Sequence, residues 1–198
     1  LLTSLSFKVS SNNNNEKISF NHGVASGDPT NTNVIIWTRI TKVSNTSIKV
    51  NWEISNDINF RKIIHSGTSK TSAHKDFTVK VDAKISKEYK GTPIFYRFIC
   101  NNYFSPTGST ITLPADNPDL FNIAFCSCSN YPAGFFNAYK EIANNKEIDL
   151  VLHLGDYIYE YDKNGYASEN SNELDRVSIP SNELISLEDY RLRHAQYK

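Results

Sequence analysis

Methionine is absent from the 198 residues, and cysteine occurs only three times, as Cys100, Cys126 and Cys128. Three thiols are too few and too oddly spaced for a disulfide scaffold. The single residue between Cys126 and Cys128 suits neither a Cys-x-x-Cys redox pair nor a zinc knuckle. Charge of one sign is missing as well: 21 Lys and Arg balance 21 Asp and Glu, which leaves no basic excess for a nucleic-acid or anionic-membrane surface. No apolar run approaches the ~18 residues of a membrane-spanning helix. What remains is 39% hydrophobic and 21% charged, with a mean hydropathy of −0.46. That is the balance of a water-soluble globular chain, long enough for one large domain or two small ones. The start, Leu1-Leu2-Thr3-Ser4-Leu5, has no basic stretch followed by an apolar core. It reads as the remnant of a removed signal peptide or as a fragment boundary, and the missing methionine predicts an internal piece or a processed form.

Residues 1–18, with Asn12-Asn13-Asn14-Asn15 at their centre, are expected to be a flexible leader with nothing to bury. Residues 19–114 read as short strands separated by turns. Ser47-Ile48-Lys49-Val50-Asn51-Trp52-Glu53-Ile54 alternates with period two, the mark of a half-buried antiparallel strand. Further strands are expected at 34–39, 62–65, 77–81 and 94–100, with turns at Ser26-Gly27-Asp28-Pro29, Ser55-Asn56-Asp57, Gly67-Thr68 and Gly91-Thr92-Pro93. Strands at this spacing without helical periodicity predict an all-β sandwich of about a hundred residues or fewer, of immunoglobulin or fibronectin kind. Trp37 and Trp52 are expected in its inter-sheet core.

Pro114 and Pro118 then break the ladder and mark a boundary. Beyond it, 121–126 reads as an apolar strand and 135–145 as a helix with Phe135, Phe136, Tyr139, Ile142 and Ala143 on one side. Residues 149–154 read as a second strand, apolar enough to be covered on both faces. Strand, helix, strand is a βαβ unit, which makes the strands parallel. A helix is expected to start near Ser186, which offers an N-cap before Glu188 and Asp189. One βαβ unit and a tail cannot close a sheet, so the second domain, 119–198, reads as incomplete at Lys198.

Ligands of parallel sheets bind beyond the carboxyl ends of the strands. Here those ends deliver Cys126-Ser127-Cys128-Ser129-Asn130 and Gly155-Asp156-Tyr157-Ile158-Tyr159 to the same edge. A thiolate, a carboxylate and a phenolate can converge there. Oxygen anions suit hard cations, and a phenolate with a thiolate suits an oxidised iron-like centre. Two cations about 3.5–4 Å apart, bridged by a carboxylate, would clamp a phosphate and activate water.

The run Leu152-His153-Leu154-Gly155-Asp156-Tyr157-Ile158-Tyr159-Glu160-Tyr161, with Cys128 one helix upstream, resembles the PhoD-like alkaline phosphatase family of metallophosphatases. Phe20-Asn21-His22-Gly23-Val24-Ala25-Ser26-Gly27-Asp28-Pro29, followed by Val34-Ile35-Ile36-Trp37-Thr38-Arg39, resembles the sandwich preceding that family's catalytic domain. Leu187-Glu188-Asp189-Tyr190-Arg191-Leu192-Arg193-His194-Ala195-Gln196-Tyr197 resembles its next segment. The resemblance implies a secreted, periplasmic or cell-surface enzyme that hydrolyses phosphate mono- or diesters by metal-activated water, with Fe3+ and Ca2+ as cofactors. Cys128 and Tyr159 would bind the ferric ion, and Asp156 would bridge it to calcium as the catalytic carboxylate. Asn130 would stand at the mouth, near metal or phosphate. The family's later acidic, asparagine and histidine ligands are absent from this sequence and are expected C-terminal to Lys198, so the chain alone is expected to be inactive. His194 matches the helical segment before those ligands and is no substitute. Two alternatives stay open. A purple acid phosphatase also carries Gly-Asp-x-x-Tyr behind a sandwich, although Cys128 stands where it would have aspartate. The sandwich could also serve as a non-catalytic binding or adhesion module.

Other residues have plainer readings. Cys126 is expected to pack, His153 to be a hydrogen-bonded core histidine, and His22, His65 and His74 to lie on the surface or in turns. Arg39 is expected to form a structural ion pair. Tyr157 and Tyr161 are placed along the cleft, Tyr161 alternatively over loop backbone. The charged stretch 188–193 reads as the solvated face of a helix.

Overall fold

The alternating segments pair as antiparallel strands in the computed structural model, which describes residues 18–41, 46–114 and 117–198. The expected leader lies outside the described residues except for Ile18, whose side chain is buried in the core. One sheet has the order β1 (Val24–Gly27), β2 (Asn33–Arg39), β5 (Thr78–Lys84). The other runs β4 (Ile63–Thr71), β3 (Ile48–Ser55), β6 (Ile94–Cys100). The short β7 (Tyr103–Phe104) and β8 (Gly108–Thr110) also pair with β6. Ser26 and Gly27, expected in a turn, instead extend β1 opposite Ile36 and Ile35. Asn101 and Asn102, both at positive φ (45° and 67°), make the two-residue turn from β6 to β7.

Period-two alternation decides what is inside. Val34, Ile36 and Thr38 of β2, Val50 and Ile54 of β3 and Phe98 of β6 all turn inward, and the apolar ones join a single core cluster with members from both sheets. Fully burying such a side chain stabilises by about 1.5–3 kcal/mol. A partly exposed ion pair such as Arg39–Asp76, at 2.9 Å, contributes about 0–1 kcal/mol, so the core dominates. Tyr96 is buried there, and that burial pushes its phenol up to about 12.

Two expectations need correction. Trp37 alternates with Ile36 and Thr38 and therefore faces away from the core, half-buried on the outer side of β2; only Trp52 joins the core. Gly67-Thr68 is not a turn but the middle of β4, with Gly67 directly opposite Trp52. A Cβ at Gly67 would come within 2.5 Å of the Trp52 ring, so the glycine is there for close approach.

The described residues divide into two compact units, one ending at Leu113 and the other beginning at Pro114. In the second, β9 (Ile123–Cys126) and β10 (Leu150–His153) are parallel, with α1 (Asn137–Asn144) between them in sequence. The helix starts two residues later than periodicity predicts. Phe136 takes a non-helical ψ of 49°, with its ring against Tyr131, Tyr139 and Tyr197, while Phe135 is left 61% exposed. Cover on both faces of β10 is not observed either: its Val151 and Leu152 are exposed, as is Phe125 on the neighbouring β9. An apolar strand needs further elements to cover it, and two strands with one short helix do not supply them.

The chain then runs as turns and loops to α2 (Leu187–Gln196). Ser186 caps it reciprocally: the Asp189 N–H donates to Ser186 Oγ (3.2 Å), and the Ser186 N–H donates to Asp189 Oδ2 (2.8 Å). Among the described residues no helix is long and apolar enough to cross a membrane.

Candidate metal centre

Backbone pairing continues past the ends of β9 and β10 and ties their loops together. Leu154 N–H donates to Cys126 O (2.8 Å), Cys128 N–H to Gly155 O (3.1 Å), and Ser129 N–H to Asp156 O (2.8 Å). Within this ladder Cys128 and Asp156 both take left-handed backbone, at φ 60° and 52°, and Gly155 lies at φ 122°. Left-handed conformation costs a non-glycine residue about 1–2 kcal/mol, and such outliers cluster at functional sites. Here the outliers bring two side chains face to face.

One carboxylate oxygen is the meeting point. Cys128 Sγ lies 3.6 Å from Asp156 Oδ2, and the Tyr159 hydroxyl donates to the same oxygen at 3.2 Å. Partial burial first, then Cys128 and the Asp156 charge, hold the Tyr159 phenol well above the ordinary tyrosine range. A thiol and a phenol directed at one carboxylate oxygen offer protons that a cation can replace. Sulfur, phenol oxygen and carboxylate together suit an oxidised iron-like ion, so the donor set fits. Among the described residues no three His, Cys, Asp or Glu side chains converge, so this cluster depends on tyrosine as its third donor.

The sequence-predicted residues therefore fall into two groups. Cys128, Asp156 and Tyr159 come together. Asn130 stands on the adjoining loop, where its amide nitrogen donates to Tyr166 O (3.0 Å). Cys126 turns to Leu152 O on the neighbouring strand, 3.8 Å from its sulfur. Tyr157 packs between the rings of His153 and His194, at 5.3 and 5.6 Å, and Tyr161 stacks on Tyr159 at 6.0 Å. Next to Cys128 a cleft of about 290 Å³ opens toward Phe135 and Tyr139.

Sequence reasoning missed the braces. His153 Nε2 lies 3.0 Å from Ser129 Oγ and 2.9 Å from the Tyr139 hydroxyl, while its Nδ1 accepts from Gly155 N–H at 3.3 Å. That pattern assigns the proton to Nε2 and makes His153 a donor that steadies the Cys128 loop. Its placement in an apolar strand signalled a hydrogen-bonded role, but nothing in sequence pointed to Ser129 or Tyr139 as the partners. Arg193 is the larger omission. The stretch 188–193 is not wholly a solvated face, because Arg193 is only 1% exposed. Its guanidinium donates to the carbonyls of Tyr159, Tyr161, Ile179 and Pro180. No local signal marked it, because its acceptors lie in distant loop segments.

Comparison with known proteins places these features in a family context. Residues 6–114 match the profile of the PhoD-like phosphatase N-terminal domain, and residues 123–198 match that of PhoD-like phosphatase. The chain is 39% identical to alkaline phosphatase D of Bacillus subtilis (strain 168), covering 97% of this chain and 33% of that protein. A solved structure of PhoD superposes with a TM-score of 0.81 at 40% identity, covering 90% of this chain and 35% of that one. The chain spans about a third of the length of the curated relative it matches.

Proposed function

This chain belongs to the PhoD-like phosphatase family, and on that premise we propose that Cys128, Asp156 and Tyr159 are part of the metal centre of a phosphoester hydrolase. Cys128 and Tyr159 would hold a ferric ion, and Asp156 would be the carboxylate that serves both it and calcium. Asn130 stands at the mouth, toward the substrate. The activity belongs to the whole protein, with further ligands contributed from outside these residues. Residues 19–114 serve as an immunoglobulin/fibronectin-like sandwich, and 119–198 as the first βαβ unit of an α/β metallophosphatase domain. The enzyme works outside the cytoplasm, as a secreted, periplasmic or cell-surface protein on phosphate mono- or diesters.

When bound, the cations supply Lewis acidity toward a phosphoryl group and acidify a water molecule. The chain's own residues provide the frame for that chemistry. The ladder between 126–129 and 154–156 holds Cys128 and Asp156 in register, so the site needs little rearrangement to receive its ions. Tyr159, three residues after Asp156, returns to the same oxygen.

The observation that carries the reading is the convergence of Cys128 Sγ and the Tyr159 hydroxyl on Asp156 Oδ2, at 3.6 and 3.2 Å. In the full-length protein, Asp156→Ala is expected to lower turnover of an aryl phosphate mono- or diester by at least about 100-fold, with loss of bound iron. Even partners that only orient metal ligands are worth roughly 10–100-fold. Unimpaired turnover by this variant would end the assignment.

A further inference from the structure

A buried arginine contacts the loop that carries Tyr159. Arg193 projects from α2 with 1% of its surface exposed, and four of its N–H···O contacts go to backbone carbonyls. Burying a guanidinium is tolerated only where its planar fork of five donors finds acceptors. Here the acceptors come from two separate loop segments. Tyr161 O lies at 3.1 Å, Ile179 O and Pro180 O each lie at 2.9 Å, and Tyr159 O accepts from the remaining guanidinium nitrogen. Fixing the carbonyls of residues 159 and 161 fixes the peptide planes that follow Tyr159 and Tyr161, and the first of these adjoins the Tyr159 Cα from which its side chain leaves the backbone.

The surrounding contacts have the same sense. Leu184 N–H donates to Glu160 O at 3.0 Å and Lys163 N–H to Ser181 O at 3.0 Å, so the two loop segments are also tied to each other directly. Gln196, one turn further along α2, accepts from Ile179 N–H at 3.0 Å. The Tyr159 side chain that leaves this loop donates its hydroxyl to Asp156 Oδ2.

We propose that Arg193 is a positioning residue for the metal centre: by gripping the carbonyls of Tyr159 and Tyr161 it sets the Tyr159 phenol against Asp156. The proposal rests on Tyr159 being a metal donor, as read above. A lysine cannot replace this function, because one ammonium group reaches fewer carbonyls and lacks the planar fork.

The test is a double-mutant cycle in the full-length protein, comparing wild type, Arg193→Lys, Tyr159→Phe and the double variant. Iron retained per chain after dialysis and hydrogen exchange over residues 156–161 are the readouts. The expected result is that Arg193→Lys folds, exchanges at least about 10-fold faster over 156–161 with the β-sheet peptides unchanged, and weakens iron retention by roughly 10–100-fold. In the Tyr159→Phe background the same change is expected to cost almost nothing further. Additive losses, or unaltered exchange, would overturn the proposal. Arg193→Gln is the second variant, and failure of both to fold would reduce Arg193 to a structural residue and overturn it equally. A wild-type protein that retains no iron would instead overturn the metal-centre reading, and the proposal with it.

Discussion

At the scale of single residues, backbone conformation and close packing carry as much information as side-chain chemistry. Cys128 and Asp156 are legible in sequence as strand-end residues with metal-binding groups. Their left-handed backbone is not, because nothing local to either residue demands it; the ladder between the two loops imposes it. Gly67 teaches the same lesson in the other direction. Turn chemistry is the ordinary reading of Gly-Thr, and it fails because the Trp52 ring on the next strand occupies the place of a Cβ. Gly67→Ala is therefore expected to destabilise the first unit by about 1–3 kcal/mol, the usual cost of overpacking. A lower denaturant midpoint at unchanged slope, together with altered Trp52 fluorescence, checks this.

Among the elements, α2 connects capping, loop order and the candidate centre. Its N-terminal box joins Ser186 and Asp189, and Ser186→Ala is expected to cost about 1 kcal/mol in thermal stability. Hydrogen bonds, that from the Ser186 N–H first, hold the Asp189 carboxyl below its ordinary 3.8. A carboxyl depressed on folding stabilises the fold above the unfolded-state value, and the contribution is lost as pH falls through the folded-state value. The thermal midpoint of wild type is accordingly expected to exceed that of Asp189→Asn at neutral pH, with the gap closing below about pH 4, the ordinary carboxylate range. An unchanging gap down to strongly acidic pH would show that the box contributes no charge-dependent stability. The helix and its cap were legible from Ser186 onward. Arg193 was not, because burial of a charged side chain depends on carbonyls that lie 13 to 34 residues away in the chain.

On the scale of the whole molecule the two units are covered very differently. The first closes its apolar side chains into one cluster with members from both of its sheets. The second leaves Phe125 72% and Val151 48% exposed on its short parallel sheet. The 198-residue chain is therefore expected to bind a hydrophobic dye, and Phe125→Glu to reduce that binding while changing stability by less than about 0.5 kcal/mol, as for other surface substitutions. Equal dye binding by the variant would place the accessible apolar surface elsewhere.

The sequence by itself determined the strand periodicity, the parallel pair, the start of α2, and the three residue types whose donors converge, since periodicity and strand-end position are local properties of the chain. Tertiary structure alone decided that Trp37 faces outward, that Gly67 lies under a tryptophan ring, and that Arg193 is buried among carbonyls. Each of those outcomes depends on atoms from distant segments meeting in space, and no local pattern encodes such a meeting.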